Sequence, residues 1–284
     1  MAFSFLKALG SAAALASLNA CTFLFLQPDR TLYPMAAQGG RAPQAIAFKS
    51  LDGVKLTAWI FRASGPAKAL VVQFHGNAQN MTSHFQLLAW LTDQGFDLLI
   101  FDYRGYGQSE GQATVHGAYL DSRAALGLAQ KMARDRGLPL VVYGQSLGGS
   151  LLLKALEDEA PIPELRLIAV ESSFNGYREI AREKLALFWL TWPLQWLAYP
   201  LISDSESPGG PGLRRLPHVP IILIYSARDP VVPLHHGVEL FSEMNEPKEF
   251  WEHPEPGHVN GMFVQGGALR ARFLAALNRA LTPR

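Results

Sequence analysis

The chain has 284 residues, of which 49% are hydrophobic and 17% charged, and its formal net charge is +1. This composition excludes a disordered chain and is ample for one large core. A charge so close to zero carries no electrostatic footprint for nucleic acid, and the single cysteine excludes a disulfide framework.

The N-terminal 26 residues are typical of a secretion leader. Lys7 precedes an apolar stretch, and Leu18-Asn19-Ala20-Cys21 resembles the cleavage box of a bacterial lipoprotein. We therefore predict a signal peptide, lipidation of Cys21 and a lipoprotein tethered to the bacterial envelope that faces the periplasm. The alternative is an uncleaved single-pass anchor from Phe3 to Leu26, which is long enough to cross a bilayer. Both interpretations predict a membrane tether before a domain at 27–284.

A strand buried on both faces is predicted by the apolar run Ala69–Phe74. The loop His75-Gly76-Asn77-Ala78 follows it. In hydrolases with a nucleophilic serine, a loop at this point supplies one backbone N–H to the oxyanion. Asn77 is the candidate donor, while His75 is interpreted as holding the loop by hydrogen bonds.

The most informative segment is Gly144-Gln145-Ser146-Leu147-Gly148, which fits the G-x-S-x-G pattern. An apolar run, Leu138–Tyr143, precedes it, and a helical pattern follows it. The context predicts a strand, a sharp turn and a helix, with Ser146 as nucleophile and the N–H of Leu147 as second oxyanion donor. The alternative is a glycine-rich turn that only packs.

Partners for a serine nucleophile occur downstream, in the order acid and then base. Asp229 follows the apolar run Ile221–Tyr225, where the loop beyond a buried strand would place it. His258 lies after a short strand pattern and before a final helical pattern. We predict Asp229 as the acid and His258 as the base, with Glu171 as the rival acid and His253 as the rival base.

A long segment separates the strand ending near Glu171 from the one beginning near Ile221. It spans about fifty residues, which is too long for a plain connection. Its run Leu185–Ile202 is uncharged, but a membrane crossing here would separate Ser146 from His258. We predict a helical lid over about 174–213. It either covers an acyl-binding pocket or packs over the sheet edge, and both interpretations bury its tryptophans, Trp189, Trp192 and Trp196.

Several motifs occur together in a fixed order along the chain. They are His75-Gly76-Asn77-Ala78, Asp102-Tyr103-Arg104-Gly105-Tyr106-Gly107, Gly144-Gln145-Ser146-Leu147-Gly148-Gly149, Glu171-Ser172-Ser173-Phe174, Asp229 and Gly257-His258. This set resembles the alpha/beta-hydrolase superfamily over roughly residues 45 to 282, and within it the small membrane-anchored serine hydrolases, which include bud-emergence-type proteins and protein depalmitoylases.

The resemblance implies an α/β fold, with a mostly parallel central sheet flanked by helices and a helical lid between the sixth and seventh strands. It implies the same catalytic triad, with Ser146 as nucleophile, Asp229 as acid and His258 as base. It further implies that Asp102 and Arg104 are structural.

The function predicted is a serine hydrolase, an esterase or thioesterase, that acts on a small-molecule or lipid-like acyl substrate. The alternatives are a serine peptidase acting on short peptides and a non-catalytic envelope lipoprotein. No dinucleotide loop, P-loop or H-E-x-x-H pattern occurs in the sequence. The sequence therefore predicts neither a cofactor nor a metal.

Overall fold

A computed structural model describes residues 25–34 and 42–282. Within them, eight strands form one sheet in the order β1-β2-β4-β3-β5-β6-β7-β8. The strands are β1 (Gln44–Lys49), β2 (Lys55–Phe61), β3 (Ala69–Phe74), β4 (Phe96–Phe101), β5 (Leu140–Gln145), β6 (Leu165–Glu171), β7 (Ile221–Ser226) and β8 (Lys248–His253). The pairs that include β2 are antiparallel and all others are parallel, which confirms the mostly parallel sheet.

Helices cover both faces of the sheet. They are α1 (Met81–His84), α2 (Val115–Asp135), α3 (Leu147–Glu157), α4 (Tyr177–Ala186), α5 (Ala198–Leu201), α6 (Leu234–Glu243) and α7 (Ala268–Leu281). One core cluster packs α2, α3 and α6 against the sheet, and a second packs α1 and α7 against the opposite face. The central strands β3, β4 and β5 are consequently buried along their whole length, as expected for uninterrupted apolar runs.

The folded unit begins earlier than residue 27. Phe25 and Leu26 lie in the core, with 8% and 1% of their surface exposed, and the Phe25 ring is 4.9 Å from the ring of Tyr177. The boundary predicted between residues 26 and 27 assigns these two core residues to the leader. Cys21 and the rest of the predicted leader lie outside the described residues.

A helical insertion connects β6 to β7. It contains α4, α5 and two 3-10 segments, Trp192–Leu197 and Gly210–Arg215. Trp189, Trp192 and Trp196 are 85%, 58% and 61% exposed. Both interpretations of the insertion were wrong in burying these rings, because the uncharged run turns much of its apolar surface outward. No helix in the described part of the chain is long and apolar enough to cross a membrane.

Candidate active site

Ser146 occupies a strained turn between β5, which ends at Gln145, and α3, which begins at Leu147. Its φ of 52° and ψ of −125° lie in a region that non-glycine residues rarely adopt. The turn requires glycine nearby, since a Cβ on Gly148 would lie 2.3 Å from the carbonyl oxygens of Phe74 and His75. These contacts hold the Ser146 side chain at the carboxyl end of the sheet.

The structure brings Ser146, His258 and Asp229 together. His258 Nε2 lies 2.8 Å from Ser146 Oγ, and its Nδ1 lies 2.8 Å from Asp229 Oδ2. A carboxylate only accepts hydrogen bonds, so Nδ1 carries the hydrogen and Nε2 is free to accept the serine proton. The arrangement satisfies the geometric requirement for a base that activates a serine and is itself oriented by an acid.

Asp229 is held in its charged form. Its second oxygen, Oδ1, accepts hydrogen bonds from the backbone N–H groups of Val231 and Val232 at 2.7 and 2.9 Å. Burial acts to raise the pKa of Asp229, but the hydrogen bond and charge of His258, with the two N–H groups, outweigh it and hold this pKa below its ordinary value. A carboxylate remains available to orient the imidazole.

The rival residues have other partners. Glu171 is buried, and its carboxylate accepts hydrogen bonds from the hydroxyl of Tyr143 and, at 2.6 Å, from the N–H of Gly261. Burial raises the pKa of Glu171. His253 is buried at the end of β8, with Nδ1 3.6 Å from Glu255. Asp229, not Glu171, contacts the imidazole that faces Ser146.

The predicted oxyanion donors flank Ser146. A Cβ on Gly76 would lie 3.4 Å from Cβ of Ser146, so the loop after β3 packs directly against the serine. Asn77 and Ser146 line the same cavity. Leu147 is the first residue of α3, where backbone N–H groups have no partner within the helix. The loop that contains Asn77 and the first residue of α3 thus both adjoin Ser146.

A polar network behind this loop was not predicted from the sequence. His84 Nε2 donates to the carbonyl of Ala78 at 3.0 Å, and its Nδ1 accepts from the Gln145 amide at 2.8 Å. The Gln145 amide oxygen in turn accepts from Gln73 at 2.7 Å. Burial, with the neighbouring His75 imidazole, lowers the pKa of His84 to about 4, so the network holds a neutral ring against the loop.

Two predicted structural residues are confirmed as parts of buried networks. Arg104 binds Asp121 and Asp52 through its guanidinium at 2.8 and 2.7 Å. Asp102 accepts from the N–H of Met81 at 2.7 Å and lies 3.4 Å from Nε2 of His75. His75 itself is fully buried, so it stabilises the loop from inside the core.

A cavity of about 680 Å³ opens beside Ser146 and His258. Its apolar lining residues are Leu87, Val231, Val259 and Phe263, and its polar ones include Gln27, Ser83, His84, Gln86 and Lys184. Among the described residues that line it there is no carboxylate, and none of the tryptophans of the insertion. Among the described lining residues, Lys184 carries the only ammonium group.

The sheet, the turn at Ser146 and the chain order of Ser146, Asp229 and His258 are those of an alpha/beta-hydrolase, which confirms the predicted superfamily. The chain belongs to the family described as serine aminopeptidase, S33, whose model matches residues 65–207. The matched part contains Ser146 and the loop after β3 and ends before Asp229. The protein is thus a member of a family of hydrolases.

Relatives are similar in sequence over most of the chain. The uncharacterized protein YfhR of Escherichia coli O157:H7 is 28% identical, over 91% of this chain and 88% of its own. Lysophosphatidylserine lipase ABHD12 of Xenopus tropicalis is 24% identical over 79% of this chain and 58% of its own, and protein bem46 of Schizosaccharomyces pombe is 23% identical over 90% and 88%.

The solved structure of the Pyrococcus furiosus esterase Pf2001 has the same fold. It superposes with a TM-score of 0.70 at 21% identity, covering 90% of this chain and all of that one. The relatives agree with the predicted branch of the superfamily.

Proposed function

We propose that the protein is a serine hydrolase that cleaves acyl ester or thioester bonds. The observation that carries the proposal is the imidazole of His258, which lies 2.8 Å from both Ser146 Oγ and Asp229 Oδ2. The description of one relative as a lipase and of a structural neighbour as an esterase agrees with this chemistry. A non-catalytic role would give no reason for the three side chains to meet.

In the proposed reaction, His258 Nε2 takes the hydroxyl proton as Ser146 Oγ attacks the acyl carbonyl. The oxygen of the tetrahedral intermediate accepts from the N–H groups of Leu147 and Asn77. His258 then gives its proton to the leaving alcohol or thiol, and an acyl-enzyme remains. Water, deprotonated by the same imidazole, releases the acid and regenerates Ser146.

The cavity supports an apolar substrate with a negative or neutral head rather than a peptide amine. Its lining is apolar at Leu87 and Phe263 and cationic at Lys184. Two acidic residues of the insertion have other contacts, Asp204 with the N–H of Arg178 and Glu206 with His116. A substrate ammonium would thus find no carboxylate in the described wall.

The second candidate is a serine peptidase, which the family description favours. The two candidates separate in one comparison of kcat/KM, between p-nitrophenyl esters of rising chain length and aminoacyl p-nitroanilides. Higher kcat/KM for the esters, with an optimum chain length, supports the acyl hydrolase. Preference for anilides with a free amine would replace it with the peptidase.

The nucleophile is tested with a fluorophosphonate probe. We expect Ser146→Ala to abolish labelling and to lower kcat by about 10⁴- to 10⁶-fold, as removal of a triad serine does elsewhere. Ser83→Ala is the matched control, because Ser83 lines the same cavity but its hydroxyl donates to Gln79 rather than contacting an imidazole. Labelling that persists in folded Ser146→Ala would disprove the proposal.

We further propose that the protein is held at a membrane by its N-terminus and contacts lipid with the insertion. The apolar side chains that the insertion exposes include Leu187, Phe188, Trp189, Trp192 and Trp196. Tryptophan is favoured at the interface of a bilayer, and Phe25, where the described chain begins, packs on the first residue of α4. The predicted tether would therefore enter at the start of α4, the helix whose other end leads into the exposed apolar residues.

Two measurements test these membrane contacts. Cys21→Ser should abolish labelling by a fatty-acid analogue without changing kcat, if the tether is a lipidated cysteine. Wild-type protein that stays in the membrane fraction but takes up no label would support the uncleaved anchor. Replacing the three tryptophans by alanine in the Cys21→Ser background should weaken cosedimentation with phosphatidylglycerol vesicles, and unchanged cosedimentation would refute the lipid contact.

A further inference from the structure

Glu183, His235 and His236 form a cluster that the proposed reaction does not use. Glu183 lies on α4, in the insertion, whereas the two histidines lie in the first turn of α6. Glu183 Oε1 is 3.0 Å from His235 Nε2, and its Oε2 is 3.1 Å from His236 Nε2. One carboxylate thus faces two imidazole nitrogens.

The hydrogen bonds on the far side of His236 show which of its ring nitrogens carries the hydrogen. The carboxylate of Glu239 accepts from the amide nitrogen of Asn175 at 2.5 Å, which turns the amide oxygen of Asn175 toward His236. That oxygen is 2.8 Å from His236 Nδ1 and can only accept, so Nδ1 carries the hydrogen. In its neutral form, the ring then presents the Nε2 lone pair to Glu183.

Two lone pairs facing each other at 3.1 Å repel unless a cation lies between them. His236 is fully buried, so water cannot screen the repulsion there. The nearest arginine does not fill this role, because the guanidinium of Arg182 is bound to Glu179 and stays 3.9 Å from Glu183. The cluster therefore has the electrostatics of a cation-binding site.

The geometry points to a transition-metal site, and we propose that Glu183, His235 and His236 bind Zn²⁺. Two imidazoles and one carboxylate are a ligand set that zinc uses in proteins, with bonds of about 2.0 to 2.2 Å. Such bonds place tetrahedral ligand atoms roughly 3.4 Å apart. This is close to the 3.0 Å from Glu183 Oε1 to His235 Nε2 and the 3.1 Å from Glu183 Oε2 to His236 Nε2. One ligand atom from each residue lies within 4.8 Å of the other two.

The Asn175 amide acts as an outer partner that fixes a ligand. Metal-bound histidines usually donate their second N–H to an oxygen, and this partner sets the tautomer that binds. The Asn175 oxygen holds His236 Nδ1 in this way, and Nε2 of the same ring faces Glu183.

The position of the site gives it a structural consequence. Zn²⁺ bound there would join α4 of the insertion to α6, which follows the loop of Asp229. Lys184, next to Glu183, lines the cavity beside Ser146, and so does Val231 from the Asp229 loop. Metal would therefore fix two parts of the cavity wall relative to each other without entering the reaction.

The test is metal binding by the full-length protein after treatment with a chelator. We expect the protein to take up one Zn²⁺ in a calorimetric titration, and Co²⁺ to give the visible absorption of a tetrahedral nitrogen and oxygen site. Zn²⁺ should also raise Tm, because it binds the folded state. Absence of Zn²⁺ and Co²⁺ binding would overturn the proposal and leave a proton as the cation between His236 and Glu183.

Variants then identify the ligands. His235→Gln and Glu183→Gln should each weaken Zn²⁺ binding by at least about 100-fold, and Asn175→Leu by about 10- to 100-fold, the usual effect of losing an outer partner. His116→Gln is the matched control. His116 also lies 2.8 Å from a carboxylate, that of Glu206, but it forms a single pair rather than a cluster of three. Equal affinity in wild type and His235→Gln would refute the site. His235 is half-exposed, so this variant decides the matter even if Glu183→Gln does not fold.

Discussion

The backbone N–H of Gln27 donates a hydrogen bond of 2.6 Å to Oδ1 of Asn77. The same oxygen accepts from the N–H of Ala78 at 2.8 Å and from the hydroxyl of Tyr106 at 3.1 Å. The start of the described chain thus holds the loop that packs against Ser146. The segment that enters from the predicted tether is part of the site, not merely a spacer.

Leu26 is expected to stabilise the fold from this segment. Leu26→Ala should lower the free energy of unfolding by about 2 to 5 kcal/mol, because it leaves a cavity at a position that is 1% exposed. Urea denaturation measures the change. Leu32→Ala, at a position that is 52% exposed, should change it by less than about 0.5 kcal/mol. Equal values for the two variants would show that the segment does not pack as described.

Replacing each acid by its amide distinguishes Asp229 from Glu171 as the catalytic acid. Asp229→Asn should lower kcat by about 10⁴-fold, because an amide at this position no longer favours the Nδ1–H tautomer of His258. Glu171→Gln should change kcat by less than about tenfold, since Glu171 bonds to Tyr143 and Gly261 instead. Steady-state kinetics on a p-nitrophenyl ester measures both, and a larger loss in Glu171→Gln would reverse the assignment of the acid.

His84 should make the fold acid-sensitive. Its pKa is about 4 in the folded protein, against an ordinary value of about 6.5, so between these values the unfolded chain binds a proton that the native state does not. Stability therefore falls as pH falls through this window, by roughly 2 to 3 kcal/mol between pH 7 and pH 4.5. Urea denaturation at both pH values measures the effect. The free energy of unfolding of His84→Gln should fall between them by roughly 2 to 3 kcal/mol less than that of the wild type. An identical loss would exclude His84 as the cause.

Phe263 is expected to contact the acyl chain. It lines the cavity, so Phe263→Ala should penalise long esters progressively, by up to roughly 0.8 kcal/mol for each methylene that loses its contact, and spare acetate. Trp196→Ala is the control, because Trp196 is exposed and does not line the cavity. The profile of kcat/KM against chain length measures the effect. A change in the Trp196 variant alone would place the acyl chain under the insertion instead.

Local patterns predicted much of the fold and of the candidate site. The apolar run Ala69–Phe74 has the same bounds as β3, and the final helical pattern from about Gly267 corresponds to α7. Ser146, Asp229 and His258 were assigned because chain order and flanking strands restrict where such groups can lie. These features depend on residues that are close together in the chain, so a single sequence is enough to predict them.

Other features depend on contacts between distant segments. Gln73 meets Gln145 across 72 positions, and Glu183 meets His236 across 53, so no local pattern marks either pair. The burial of Leu26 and the exposure of Trp189 were missed for a related reason. An uninterrupted apolar run shows that a segment avoids water, but not whether its own core, a membrane or a substrate covers it.

The insertion leaves the sheet and returns to it at adjacent strands. β6 and β7 are parallel neighbours, with Ile168 opposite Ile221 and Glu171 opposite Ile224. An excursion of about fifty residues therefore begins and ends at positions only roughly 11 Å apart, three residues along the strands and one strand spacing across. Such a segment can be shortened, lengthened or exchanged for that of a relative without changing the register of any strand. Grafting experiments at this junction could therefore alter what reaches Ser146 while the rest of the molecule stays the same.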